Sequence, residues 1–298
     1  MPHHQTFTTL TRPLVLRPRP TARLRLTATL AVVVGVTLAV VGCASQPPLT
    51  GTDHPEQPLS HVHGIVADPA GDGFLIGTHE GIFPVTSSGE LGPRIAGADF
   101  DAMGLTVVDD TLLASGHPGR STPAELGAPN LGIVRSIDRA ETWEPVAFTG
   151  EKDFHALTAG PDGTVYGLAT GSAEIQTSTD YGETWTPTGA SLLALGFTVD
   201  ADGRVVASTP DGPQVSTDRG ASFSPWPGAP LLAALNASPD HQRLVGIGSG
   251  GTIWTTTTGA TQWTEVGAVH DTAQAVAITN EGDMLVVDDS GITTVPNS

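Results

Sequence analysis

Five of the chain's ten histidines, His61, His63, His79, His117 and His155, are candidates for chemistry by type and spacing. His61 and His63 are two residues apart, and the same spacing relates Asp101 to Met103 and Asp153 to His155. His79 lies in Thr78-His79-Glu80-Gly81 and His117 in Gly116-His117-Pro118-Gly119. Residues two apart on an extended strand share a face, so His61-x-His63 offers two imidazoles on one side. Imidazole suits copper and zinc, a thioether favours Cu(I), and carboxylates such as Asp101, Asp153 and Glu80 serve as further ligands or orient a ring N–H. His61, His63, His79, Met103, His117 and His155 are therefore the candidate metal ligands. Asp101 and Asp153 also form a candidate acid/base pair for glycoside hydrolysis, with their separation deciding retention or inversion. Histidine-assisted lyase or hydrolase chemistry is equally open.

The elements that position these residues repeat. Three segments read alike: Ser136-Ile137-Asp138-Arg139-Ala140-Glu141-Thr142-Trp143, Ser178-Thr179-Asp180-Tyr181-Gly182-Glu183-Thr184-Trp185 and Ser216-Thr217-Asp218-Arg219-Gly220-Ala221-Ser222-Phe223. They are offset by 42 and 38 residues, and residues 255–263 form a degraded fourth copy. An Asp side chain accepts backbone N–H bonds in such a turn, Gly tolerates positive φ, and the aromatic fills the space between sheets. The segments resemble the Asp-box (BNR) hairpin of sialidase-like β-propellers. That resemblance implies a structural role for Asp138, Asp180 and Asp218, and no catalysis. Short β-rich runs alternate with turn clusters such as Pro161-Asp162-Gly163 around them. Alignment on the turns puts His63, Met103, His155, Leu195, Ala233 and Gln274 in one register, spaced by 40, 52, 40, 38 and 41 residues. Two residues earlier the series is His61, Asp101, Asp153, Leu193, Leu231 and Thr272.

Six registers predict an all-β protein, a six-bladed propeller of four-stranded blades over residues 51–298, with seven blades as the alternative. Unit two carries about twelve extra residues, and the last unit stops after three strands, so residues 50–58 are expected to close the ring. The first strand of a blade lines the central channel, and its start shares a face with the loop between strands two and three. The five histidines then meet on one face of blades one to three, opposite the repeated turns.

Residues 1–42 read as an address. Arg12, Arg17, Arg19, Arg23 and Arg25 precede an apolar run over residues 28–41 that ends at Val40-Val41-Gly42-Cys43. The run is short for a membrane span and suits a signal-peptide core. The junction resembles the lipobox of bacterial lipoproteins, which implies cleavage before Cys43, its acylation, a short tether over residues 43–50 and a membrane-anchored, extracytoplasmic product. A single cysteine excludes intrachain disulfides and Cys-rich zinc sites.

Composition narrows the function. The 36 Gly and 24 Pro argue against a helical bundle. All acidic residues follow residue 43, giving the mature part a formal charge of −23. Such a surface repels phosphate backbones, so nucleic acid is excluded as a partner and basic partners or cations are favoured. Propellers that carry the Asp-box are commonly labelled glycosyl hydrolases. Sialidases need an arginine triad and a Tyr–Glu pair, which Arg94, Arg120, Arg135, Arg139, Arg204, Arg219, Arg243, Tyr166 and Tyr181 do not supply. Three functions follow: an anchored, monomeric binding protein for a small ligand or for copper or zinc; a glycosidase acting on glycans at the same face; or a protein-assembly scaffold.

Overall fold

The computed structural model describes Leu59 and residues 61–297. The signal peptide, Cys43 and its tether lie outside the described residues, as does the segment 50–58 expected to close the ring. Within the described residues, blade one contains β1 (Val62–Ala67), β2 (Phe74–Thr78) and β3 (Gly81–Val85). Blade two contains β4 (Phe100–Val108), β5 (Thr111–Pro118), β6 (Ile133–Ser136) and β7 (Glu144–Ala147). Blade three contains β8 (Phe154–Ala159), β9 (Val165–Ala169), β10 (Glu174–Ser178) and β11 (Thr186–Ser191). Blade four contains β12 (Gly196–Val199), β13 (Val205–Ser208), β14 (Gln214–Ser216) and β15 (Ser224–Pro225). Blade five contains β16 (Leu232–Ala237), β17 (Arg243–Gly248), β18 (Thr252–Thr257) and β19 (Thr264–Ala268). Blade six contains β20 (Ala273–Ile278), β21 (Met284–Asp288) and β22 (Gly291–Val295). Each blade is an antiparallel meander, and the six form a β-propeller.

Blade one departs from the expected four strands. In the fourth place residues 91–95 run beside β3 with two backbone bonds, Gly92 N–H to Pro84 O at 2.8 Å and Ile95 N–H to Ile82 O at 2.9 Å. Pro93 lacks an N–H and Gly92 adds no side chain to pack, so a regular ladder does not form there.

The core is a ring of interfaces. Each of six apolar clusters sits between neighbouring blades, as where Val108, Leu113 and Ile133 of blade two meet Phe154, Leu157 and Val165 of blade three. The second strand of a blade is covered on both faces, which is why β2, β9, β13 and β21 are buried throughout and show no alternation. Blades six and one close the ring the same way, with Ala275, Ala277, Leu285 and Val287 against Val62, Ile65, Phe74 and Ile76. Polar ties reinforce this closure: Gln274 Oε1 accepts Val62 N–H at 2.6 Å. The Asn236 amide donates to Ile65 O at 2.8 Å and Val276 O at 3.1 Å.

The three repeated turns share one hydrogen-bond plan. The hydroxyls of Ser136, Ser178 and Ser216 donate to Asp138, Asp180 and Asp218 at 2.8, 2.8 and 2.7 Å. The same carboxylates accept the N–H of Thr142, Thr184 and Ser222 at 2.8, 2.9 and 2.9 Å. Residues 139, 181 and 219 adopt φ of 61°, 55° and 59°, and this kink turns each side chain toward the preceding blade. Arg139 pairs with Asp68, the Tyr181 hydroxyl donates to Asp109 at 2.7 Å, and Arg219 meets Asp162 at 3.1 Å. The turns thus pin blade to blade.

Replacing Asp180 with Ala removes the acceptor for the Ser178 and Thr184 hydroxyls and for the Thr184 N–H. Asp180→Ala is expected to lower stability by about 1–3 kcal/mol in equilibrium unfolding, with the β-sheet circular dichroism of the surviving folded form unchanged.

Candidate functional site

The rim that carries the histidines is built by a bulge. In β1, β4, β8, β16 and β20 the pairing register slips at one residue: between Val62 and Gly64, Ala102 and Gly104, Phe154 and Ala156, Leu232 and Ala234, and Ala273 and Ala275. The skipped residues are His63, Met103, His155, Ala233 and Gln274, five of the six in the sequence register. Blade four has no slip; Leu195 stands just ahead of β12 and its N–H donates to Ser208 O at 2.8 Å. All six residues line one end of an axial cavity of about 690 Å³. A bulge leaves its extra residue unpaired and re-aims the side chain, here toward the channel.

The candidate residues separate into two groups. In the first, His61, His63 and His79 each offer a nitrogen, and these atoms lie within 4.8 Å of one another. His63 Nε2 is 3.3 Å from His79 Nδ1. The rings of His61 and His79 stack at 5.3 Å, and His63 meets each edge-on. Asp101 reaches back from blade two, placing Oδ1 3.2 Å from His63 Nε2 and Oδ2 3.0 Å from His79 Nδ1. Its Oδ1 is buried and makes no hydrogen bond. The group facing this oxygen is the His63 ring, and a cation between the carboxylate and the two imidazoles would find both kinds of ligand there. His61 is held at φ 27°, an uncommon conformation for a residue with a Cβ.

The second group lies between blades two and three. Asp153 Oδ2 is 2.9 Å from His155 Nε2 and 3.6 Å from His117 Nε2, and it accepts the Thr170 hydroxyl at 2.7 Å. His117 Nδ1 is 3.3 Å from Pro129 O. His117 belongs to β5, opposite Asp101, because β5 runs on through eight residues to Pro118. Met103 lines the channel mouth with His63 and His155. Glu80 folds onto its own turn, where its carboxylate meets the Thr78 hydroxyl at 3.4 Å. Sequence reasoning missed Thr170 and the Pro129 carbonyl. The twelve-residue excess of unit two was a signal for Pro129, since the excess is the loop that delivers it; nothing marked Thr170.

Asp101 and Asp153 each stand beside two imidazoles. Arginines are committed elsewhere: Arg135 to Glu144 and Glu183, Arg139 to Asp68, Arg204 to Asp200 and Arg219 to Asp162.

Burial pushes the His63 imidazole down to about 4; the Asp101 carboxylate pulls it upward and the charges of His79, His61 and His155 add to the lowering. Its ring is therefore neutral at pH 7, as a metal ligand must be.

No family model matches the chain, and no curated protein matches it either. Solved structures do. The chain is similar to a protein with a provisional gluconolactonase assignment, at 13% identity and TM-score 0.59 over 79% of this chain and 88% of that one. It is similar to the GH74 xyloglucanase of Xanthomonas campestris, at 16% identity and TM-score 0.51 over 80% of this chain and 46% of that one. It is also similar to the extracellular domain of a protein provisionally assigned as a hybrid two-component system of B. thetaiotaomicron, at 15% identity and TM-score 0.51 over 80% and 32%. The chain thus spans less than half the length of the last two. At such identities the likeness is one of fold, the β-propeller.

Because His63 binds a proton more weakly when folded, the unfolded chain gains protons first as pH falls below about 6.5. Stability is expected to drop between about pH 6.5 and pH 4 and to lose nothing further from this group below that. Urea unfolding across that window should cost the native protein on the order of 2–3 kcal/mol more than it costs His63→Gln.

Proposed function

We propose that this protein binds a transition metal ion, copper or zinc, at the rim of its channel through His61, His63 and His79, with Asp101 as a fourth ligand or ring-orienting partner. The observation that carries this reading is the convergence of three imidazole nitrogens within 4.8 Å. Two ligands bonded tetrahedrally at zinc–nitrogen distances stand about 3.3–3.4 Å apart, and His63 Nε2 and His79 Nδ1 stand 3.3 Å apart. The Asp101 carboxylate beside them and the acidic surface both favour a cation. Met103 and the His155–Asp153 pair occupy the next positions around the mouth, and the thioether tilts the preference toward Cu(I) if the ion is copper.

The lipobox-like Cys43 supports an extracytoplasmic, membrane-anchored location, and one structural neighbour is itself an extracellular domain. The Ser-Asp-Thr turns support membership of the Asp-box propellers. Among the described residues no helix is long and apolar enough to cross a membrane.

Metal analysis of the purified protein, followed by zinc and copper titration calorimetry, tests the reading. One equivalent is expected to bind, with affinity falling at acid pH as protons compete for the imidazole nitrogens, and His63→Ala is expected to abolish binding. Absence of binding to the native protein would overturn the metal reading and favour the glycan or scaffold alternatives, for which an oligosaccharide screen is the next measurement.

A further inference from the structure

The second imidazole–carboxylate group has the arrangement of a general base. Asp153 Oδ2 stands 2.9 Å from His155 Nε2. The carboxylate is itself anchored, by the Thr170 hydroxyl at 2.7 Å and by Thr170 N–H on the Asp153 carbonyl at 2.9 Å. A carboxylate only accepts, so it selects the Nε2–H tautomer and leaves the lone pair on Nδ1. The Asp153 side chain is 10% exposed and the His155 side chain 50%: the orienting group is buried and the ring is open to solvent at the channel mouth. His63 lines the same mouth. In blade four Leu195 lines the channel and is 58% exposed, and Leu193 and Leu231, each two residues before its blade's register position, are 71% and 55% exposed. Such an apolar lip suits an aliphatic chain held beside a polar reacting group.

We infer that the rim hydrolyses carboxylic esters with an aliphatic acyl chain, His155 acting as the base that activates water. The inference rests on the metal reading above for its electrophile, a divalent cation held by His61, His63 and His79. Water adds its oxygen to the ester carbonyl carbon and passes a proton to His155 Nδ1. The carbonyl oxygen takes the developing negative charge toward the cation. The ester C–O bond then breaks, the alkoxide takes the proton from His155, and acid and alcohol leave. Asp153 is a positioning residue that fixes the tautomer.

The test uses the zinc-loaded protein and p-nitrophenyl butyrate, with zinc affinity measured separately by calorimetry. His155→Asn is expected to cut kcat by about 10²–10⁴-fold while zinc affinity stays within about twofold. Histidine ¹⁵N NMR should show Nδ1 of His155 unprotonated in the native protein, with that tautomer lost in Asp153→Asn. Leu195→Ser should erase a preference for butyrate over acetate. Zinc binding without hydrolysis, or hydrolysis unchanged in His155→Asn, overturns this inference and leaves the metal reading standing. Loss of both zinc binding and hydrolysis in the native protein overturns both. Hydrolysis that depends on His155 in a protein that binds no zinc supports the base and overturns the metal reading alone.

Discussion

An extra residue in an antiparallel pair has no partner, and the strand must buckle to hold it. In this propeller that buckle recurs at the head of five inner strands, and the residues it ejects from the ladder are the ones that line the channel mouth. The ladder resumes on both sides of the bulge, so the ejected side chain sits on a rigid base, anchored within two residues by strand pairing. His63 shows the effect: Val62 before it is buried between blades one and six, Ile65 after it lies in the same apolar cluster, and the imidazole between them faces the mouth. Each imidazole group includes one bulge residue, His63 in the first and His155 in the second.

Blade two connects the two groups. Its strands β4 and β5 pair Asp101 opposite His117, yet the side chains part company. Asp101 goes to the imidazoles of blade one and His117 to the carboxylate of blade three. A carboxylate given in one direction and an imidazole in the other make the three blades one continuous polar arc. The loop that sets blade two apart from its neighbours supplies the Pro129 carbonyl that meets the His117 ring.

Much of this was legible in the sequence because repetition carries phase. The Ser-x-Asp turns marked where the third strand of blades two, three and four ends, and counting from them placed His63, Met103 and His155 in a register that the pairing reproduces as bulges. The two-residue spacings of His61 with His63 and Asp153 with His155 reported real proximity. What the spacing hid was reach. Nothing in the order of residues distinguishes an Asp101 that contacts its own strand's Met103 from one that crosses to blade one, because side-chain direction depends on how adjacent blades are rotated. The missing fourth strand of blade one was equally obscured: Gly92 and Pro93 forbid a regular ladder, but the alignment counts only turns. Thr170 escaped notice because threonine is common in strands and its hydroxyl matters only through the carboxylate beside it.

The ring of separate interfaces has a further consequence. Each apolar cluster belongs to two blades, so no single core must be repacked when one blade changes. A propeller of this kind resembles a carousel of interchangeable cassettes, in which drift is judged locally by the next blade along. Blades four and five, with leucines where blades one to three carry histidine and aspartate, preserve the frame while their mouth-facing positions have gone a different way. One half of the circle can therefore acquire new chemistry over evolutionary time while the other half keeps the chain folded.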